Sequence, residues 1–195
     1  MFEVLGPRSI AAHCIHVSHR EMDLLAETKT TVVHNPQSNM NNAVGTANIM
    51  ELMKRGALVG LGTDAMTTNM LEELRAALWG QHLRAANPSV GFGEATGALF
   101  ANNPKIAERI FGLRFGEICE GAAGDIAIFE YDPPTPLEGC NFLGHLVFGI
   151  SQTEADTTIV GGRVLMENKK LALNFDEARV NARARELAKA LWQRM

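Results

Sequence analysis

Two hydrophobic periodicities alternate along the first half of the chain. Short apolar runs with β-branched residues are typical of strands, and they occupy residues 8–17, 30–35 and 57–64. Segments with apolar side chains at helical spacing occupy residues 19–28, 47–56 and 69–86. Asn69 is a candidate cap of the last helix, and the polar residues 35–45 are typical of a loop. Strands that alternate with helices predict a parallel sheet with helical crossovers, and three such units alone make a poor free-standing sheet.

The pattern changes in the second half of the chain. Residues 93–111 predict two short helices, the second starting at Pro104. Beyond them the sequence is strand-like, with candidate strands in residues 124–132, 145–150 and 156–173. The Gly161-Gly162 pair predicts a hairpin turn inside the last of these. A final amphipathic helix follows a candidate cap at Asp176, and its apolar face is expected to pack against another element.

Composition and charge limit the classes of function. Hydrophobic residues make up 46% and charged residues 21% of the 195 positions, as in a globular protein with a substantial core. A net charge of -4 provides no broad basic surface, so we expect neither nucleic acid nor a membrane as partner and favour a small substrate. No apolar run reaches the roughly 20 residues that cross a bilayer, and the N-terminus does not resemble a signal peptide. We therefore expect a cytoplasmic protein whose three cysteines are reduced thiols.

Each of the three predicted strands ends in polar side chains. His13 and His16 follow the first strand, His34 and Asn35 the second, and Asp64 the third. The carboxyl ends of the strands form the catalytic face in barrels built from such units. The same residues also have an ordinary interpretation, because a histidine at a strand end is often a hydrogen-bonded structural group and an aspartate can cap the next turn. The pattern alone leaves both interpretations open.

Three motifs, AAHCIHVS, VVHNPQSNMNNAVG and GLGTDAMTTNMLEELRAA, occur in this order. With their spacing they resemble the sixth, seventh and eighth strand-loop segments of the amidohydrolase superfamily. The similarity is to the aminohydrolase and chlorohydrolase-like branch, which includes cytosine, guanine and S-adenosylhomocysteine deaminases. The later segments EGAAGDIAIFEYD and TIVGGRVLMENKK also resemble this branch.

The resemblance implies an α/β fold and a domain division. Residues 1–115 are predicted to form the C-terminal part of a (β/α)8 TIM barrel, with strands six to eight and their helices. Residues 116–175 are predicted to be the β-rich segment of a composite β-domain. Residues 176–195 are predicted to form a C-terminal helix.

The resemblance also implies roles for four residues. Asp64 matches the strand-eight aspartate, which in the family ligates a divalent metal, zinc or iron, and takes a proton from the attacking water. His13 matches the strand-six histidine, which contacts the attacking hydroxide or the oxygen that gains charge. His34 matches a strand-seven pocket residue and Asn39 belongs to the P-x-S-N loop, so both are predicted to bind substrate. The other histidines, at positions 16, 19, 82 and 145, are expected to face solvent or to have ordinary structural roles.

The chain departs from the family pattern in the motifs that precede these. The strand-one H-x-H pair, the strand-five histidine and the H-x-x-E glutamate have no counterpart in the sequence. A catalytic zinc typically has three protein ligands, and Asp64 is the only one that the resemblance assigns to this chain. We therefore expect a fragment of a longer enzyme that binds no metal and is inactive as isolated. Open sheet edges predict self-association into a homo-oligomer.

Two functions follow as hypotheses. The first is a metal-dependent hydrolase of non-peptide carbon-nitrogen bonds, of the deaminase or chlorohydrolase type, which acts on a small heterocyclic or amidine-like substrate through metal-activated water. The alternative is a non-catalytic binding or assembly module that self-associates through open barrel edges. An unrelated doubly wound domain is a third interpretation, but it needs a G-x-G-x-x-G loop, which the sequence lacks.

Overall fold

Three strands form a parallel sheet in the first half of the chain. The computed structural model describes residues 4–195. Strands β1 (Ile10–Ala12), β2 (Thr31–His34) and β3 (Val59–Leu61) lie in the order β1-β2-β3. Val32 pairs with Ala11 on one side and with Val59 on the other. The predicted alternation of parallel strands with helices is confirmed.

Four helices follow or connect these strands. They are α1 (His19–Glu27), α2 (Pro36–Asn41), α3 (Ile49–Lys54) and α4 (Met70–Ala85). The side chains of Ser18, Asn48 and Asn69 cap α1, α3 and α4 by accepting hydrogen bonds from backbone N–H groups of the first turn. The prediction of a loop over residues 35–45 is wrong for Pro36–Asn41, which form α2. Pro36 suits the start of this helix because its φ is already helical and it lacks an N–H.

Two clusters of buried apolar side chains hold the helices against the sheet. In the first, Val32 and Val59 of the strands pack with side chains of α1 and α3, including Ile49. In the second, Leu61 at the end of β3 packs with α4, including Leu74. Full burial of such a side chain contributes about 1.5–3 kcal/mol. Strands β2 and β3, whose ends carry polar residues, are therefore held in place by packing against α1, α3 and α4.

A helical segment covers the edge of β3 that faces away from β2. It consists of α5 (Phe92–Gly97), a π-helical turn (Ala98–Asn102) and α6 (Asn103–Phe111), so the two predicted helices are joined. Asn103 accepts a hydrogen bond from the N–H of Leu61 and donates one to its carbonyl, both at 3.0 Å. Asn102 donates to the carbonyl of Val59 at 2.8 Å. A Cβ at Gly60 would collide with Asn103, so glycine permits this approach.

The second half of the chain contains an antiparallel sheet. Its strands are β4 (Ile126–Phe129), β5 (Ala155–Val160), β6 (Arg163–Glu167) and β7 (Lys170–Leu171), in the order β4-β5-β6-β7. Gly161 and Gly162 join β5 to β6, and both have positive φ, which confirms the predicted hairpin turn.

The strand predicted over residues 145–150 is wrong. These residues lie in α7 (Phe142–Phe148) and in the 3-10 turn that follows it (Ile150–Gln152). Leu146 and Val147 are buried in the same cluster as the apolar side chains of α4. A short continuous apolar run suits a buried strand or a buried helix equally well, and here packing against α4 decides for the helix.

The chain ends in helix α8 (Glu177–Trp192). Asp176 caps it as predicted, accepting a hydrogen bond from the N–H of Arg179 at 3.0 Å. Of the residues that the structure describes, none in α8 is buried, so the expected packing of its apolar face is not found. Over residues 4–195, no helix combines the length and apolar character needed to cross a bilayer. The division of the chain at residues 115 and 175 stays a prediction.

Candidate active site

The parallel sheet brings the predicted strand-end residues to one edge. His13 follows β1 directly, His34 is the last residue of β2, and Asp64 comes three residues after β3. Nε2 of His13 lies 3.7 Å from Oδ2 of Asp64, and the two side chains are 38% and 50% exposed. A histidine and a carboxylate thus face each other where solvent or a small molecule can reach both.

The backbone at both positions has an unusual conformation. His13 and Asp64 have φ values of 67° and 46°, and the residues after them, Cys14 and Ala65, have φ values of 47° and 60°. Positive φ in residues other than glycine costs about 1–3 kcal/mol and is frequent at functional sites. The N–H of His13 donates to the carbonyl of Val33 at 2.8 Å, which ties the first of these turns to β2. Both side chains lie close together in spite of this strain, with Nε2 of His13 3.7 Å from Oδ2 of Asp64.

The short helix α2 supplies a hydrogen bond to each member of this pair. Ser38 Oγ donates to Oδ2 of Asp64 at 2.7 Å. Oδ1 of Asn39 lies 2.7 Å from Nδ1 of His13. Ser38 was not among the predicted site residues, although it stands beside Asn39 in the P-x-S-N motif. Its position next to Asn39, as a polar residue of the same motif, is the sequence signal that could have identified Ser38.

His34 lies beneath the pair and is fully buried. Its Nδ1 is 3.5 Å from Nδ2 of Asn39, which is a long hydrogen bond. Its Nε2 is buried and has no hydrogen-bond partner within residues 4–195. Burial, and secondarily repulsion from His13 when that ring is protonated, lower the pKa of His34 to about 4. His34 is therefore uncharged at neutral pH and does not compete with His13 for a proton.

A buried carboxylate on α4 supports α2 from below. Glu73 is fully buried, and one of its carboxylate oxygens accepts a hydrogen bond from the N–H of Gln37 at 3.2 Å. Burial raises the pKa of Glu73, while the bond from Gln37 acts in the opposite direction. Glu73 thus links the helix after Asp64 to the helix that carries Ser38 and Asn39. Nothing in the sequence pattern distinguishes it from the exposed Glu72 beside it.

His16, His19 and His145 do not belong to the pair of His13 and Asp64. His16 and His19 are exposed, and His19 begins α1. His145 is bonded through both ring nitrogens, to the hydroxyls of Tyr131 at 2.8 Å and Thr135 at 3.1 Å. Those contacts give His145 a structural role, because they tie α7 to the loop that precedes it.

The described residues do not complete a metal site by themselves. Among residues 4–195, no three His, Cys, Asp or Glu side chains lie close enough together to hold a metal ion. Catalytic zinc is usually held by three protein ligands. Asp64 is the single metal ligand that the sequence predicts in this chain, and that role stays a prediction.

The chain is similar in sequence to known proteins. A sequence model of the amidohydrolase family matches residues 2–165. The 5-methylthioadenosine/S-adenosylhomocysteine deaminase of Desulforamulus reducens is 33% identical over 193 residues, which cover 93% of this chain and 42% of the deaminase. The chain therefore spans less than half the length of this relative.

Two solved structures share the fold. An adenosine deaminase from Xanthomonas campestris with bound zinc aligns with a TM-score of 0.78 and 23% identity, over 97% of this chain and 44% of that protein. The atrazine chlorohydrolase TrzN from Arthrobacter aurescens, complexed with zinc, aligns with a TM-score of 0.73 and 25% identity, over 93% of this chain and 41% of that protein. This chain therefore aligns with less than half of each of the two proteins.

Proposed function

This chain belongs to the amidohydrolase family, and we propose that it carries the proton-transfer residues of a hydrolase that cleaves non-peptide carbon-nitrogen bonds. The substrate is a small heterocyclic or amidine-like compound, and removal of chloride is the related alternative reaction. One observation carries the proposal, the approach of His13 Nε2 to Asp64 Oδ2 within 3.7 Å at the carboxyl edge of a parallel sheet.

The proposed architecture is the C-terminal part of a (β/α)8 barrel. Strands β1 to β3 correspond to strands six to eight, and the antiparallel sheet is part of a composite β-domain. The fold shared with two hydrolases along more than nine tenths of this chain supports this assignment. The parallel pairing of all three strands and the helices between them support it as well.

The proposed chemistry needs a group that takes a proton from water and later gives it up. The oxygen of water forms a bond to the carbon that bears the amine, and the proton that it loses passes to Asp64 or His13. The bond between that carbon and nitrogen then breaks, and the departing amine takes up the proton and leaves as ammonia. A carboxylate and an imidazole side by side suit this general acid-base role.

A divalent metal, zinc or iron, belongs to the proposal for the complete site. Two structurally similar hydrolases contain zinc. Asp64 is the ligand that this chain contributes, and His13 is reserved for contact with the attacking oxygen. The described residues do not complete the metal site by themselves, so in a chimera the remaining ligands are expected from the part of the relative that this chain does not match. The chain by itself is therefore expected to bind metal weakly and to be inactive.

A chimera tests this function. This chain replaces the matched segment of the Desulforamulus reducens deaminase, and bound zinc is measured together with ammonia released from 5-methylthioadenosine and S-adenosylhomocysteine. We expect a zinc-containing enzyme in which Asp64→Asn lowers the rate about a thousandfold. Asp132→Asn, at an exposed position outside the site, is the matched control. A folded, zinc-loaded chimera that releases no ammonia, or one indifferent to Asp64→Asn, would overturn the proposal.

One observation favours the alternative function as an assembly module. The apolar face of α8, with Val180, Leu187 and Leu191, is exposed in the part of the chain that the structure describes. Assembly through an open sheet edge is less favoured at β3, because Asn102 and Asn103 already occupy its free edge. Sedimentation of the isolated chain tests assembly through α8, which predicts a dimer that Leu187→Asp dissociates.

A further inference from the structure

We infer that Asn39 is a positioning residue that holds neutral His13 in the tautomer protonated at Nδ1, leaving Nε2 as a bare acceptor toward Asp64. The inference concerns the pair on which the proposed function rests, and it adds a role for Asn39 beside the predicted contact with substrate, which stays a prediction. It depends on which atoms of Asn39, His13, His34 and Asp64 can donate a hydrogen bond and which can only accept one.

The short contact between Asn39 and His13 determines where the proton lies. The carbonyl oxygen of an asparagine side chain only accepts hydrogen bonds. Oδ1 of Asn39 is 2.7 Å from Nδ1 of His13, so Nδ1 must carry the hydrogen. A neutral imidazole has one N–H, and Nε2 is then left with its lone pair.

The other end of the Asn39 side chain supports the same orientation of its amide. Nδ2, which only donates, faces Nδ1 of His34 at 3.5 Å. His34 is fully buried, and its pKa of about 4 keeps it uncharged at neutral pH, so one of its two ring nitrogens is bare. Because Nδ1 faces the donor Nδ2 of Asn39, Nδ1 is the bare nitrogen and accepts. Asn39 is itself buried, and its backbone N–H donates to the carbonyl of Asn35 within α2. The amide therefore lies between one donor, His13, and one acceptor, His34.

The tautomer decides what the pair can do. With Nδ1 protonated, His13 Nε2 and Asp64 Oδ2 are two acceptors 3.7 Å apart. Ser38 occupies one lone pair of that Oδ2. Two acceptors at this separation favour a protic molecule that bridges them from their exposed side, and either can take its proton. In the opposite tautomer, Nε2–H would be a donor directed at Asp64, and a small approach of the two side chains would satisfy the pair without any third group.

Side-chain nitrogen-15 resonances of histidine test the inference on the isolated chain. They distinguish a protonated ring nitrogen from a bare one, and His13 is identified by its loss in His13→Asn. Spectra are recorded near pH 8.5, roughly two units above the ordinary histidine pKa of about 6.5. We expect His13 in the unchanged chain to be protonated at Nδ1 and bare at Nε2. The reverse assignment in the unchanged chain would overturn the inference without the use of any variant.

Two substitutions complete the test. Asn39→Ala should release His13 to the tautomer protonated at Nε2, whereas Asn39→Asp, which keeps an acceptor at the same place, should retain protonation at Nδ1. Ser38→Ala leaves the Nδ1 contact intact and should not change the tautomer. If His13 gave the same pattern in Asn39→Ala as in the unchanged chain, the role assigned to Asn39 would be wrong. These spectra measure no turnover. The tautomer of His13 can therefore be established whether or not the chimera releases ammonia.

Discussion

Ser38 donates its hydroxyl hydrogen to the same Asp64 oxygen, Oδ2, that lies nearest to His13. The bond, 2.7 Å long, joins the loop after β3 to helix α2. It leaves that carboxylate oxygen with one further lone pair directed toward the histidine. Serine thereby restricts the rotation of the group that the proposed reaction requires.

Removal of this hydroxyl is expected to lower activity more than stability. In the chimera, Ser38→Ala should reduce kcat about tenfold, because a hydrogen bond to a charged group contributes about 1.5–3 kcal/mol and Asp64 would lose its orientation. Unfolding in urea should show a smaller loss, since Asp64 remains half exposed. Ser89→Ala, at an exposed serine, is the control and should change neither quantity. An unchanged kcat in Ser38→Ala would mean that the bond does not orient the carboxylate.

The buried His34 is expected to make the chain acid-sensitive. The native state binds its proton only near pH 4, while the unfolded chain does so near the ordinary value of about 6.5. The unfolded state therefore binds more protons between these values, and stability falls as the pH is lowered through this window, by about 3 kcal/mol in total. Urea unfolding at several pH values measures this. His34→Gln should flatten the dependence, and His16→Gln, at an exposed site, should preserve it.

Glu73 is expected to have the opposite pH dependence. Burial raises its pKa in the native state, so the native state holds the proton more tightly than the unfolded chain. Its contribution is fully present below the ordinary glutamate pKa of about 4.3 and is lost as the pH rises through the native value. Glu73→Gln keeps an acceptor for Gln37 and should raise stability at pH 7 relative to pH 4. Glu108→Gln, at an exposed position, serves as the comparison and should leave the pH profile unchanged.

Asn103 is expected to be a large contributor to the stability of the sheet edge. Asn103→Ala removes both partners of the Leu61 backbone, and each unsatisfied buried group costs about 1–3 kcal/mol. The free energy of unfolding should fall by about 3 kcal/mol, and sedimentation should show more self-association as β3 becomes an open edge. Asn41→Ala, on the exposed end of α2, should produce neither effect. A stable, monomeric Asn103→Ala variant would show that the edge is protected in another way.

The main elements were predictable because their side-chain periodicity is local. Residues 19–28 and 69–86 show helical spacing, and the β-branched run before His34 is characteristic of a strand. Helix α2 was missed because its sequence is polar, and part of its support comes from Glu73, far away in the chain. Helix α7 was missed because a short apolar run does not reveal which partner it packs against.

The site was predictable only in part for a related reason. The residue types at the strand ends indicated His13, His34 and Asp64, and the structure brings these three to one edge. The hydrogen bonds from Ser38 and Asn39 depend on the rotation of α2 over the sheet, which no local pattern encodes. The left-handed backbone at His13 and Asp64 was equally hidden, because neither is glycine, the residue that usually announces that conformation.

The two strained turns also limit which amino acids can replace the neighbours of the reactive pair. Cys14 and Ala65 have φ values of 47° and 60°, a region that β-branched residues avoid and that glycine, asparagine and aspartate tolerate. Mutational drift next to His13 and Asp64 is therefore restricted to a narrow set of small or short polar side chains.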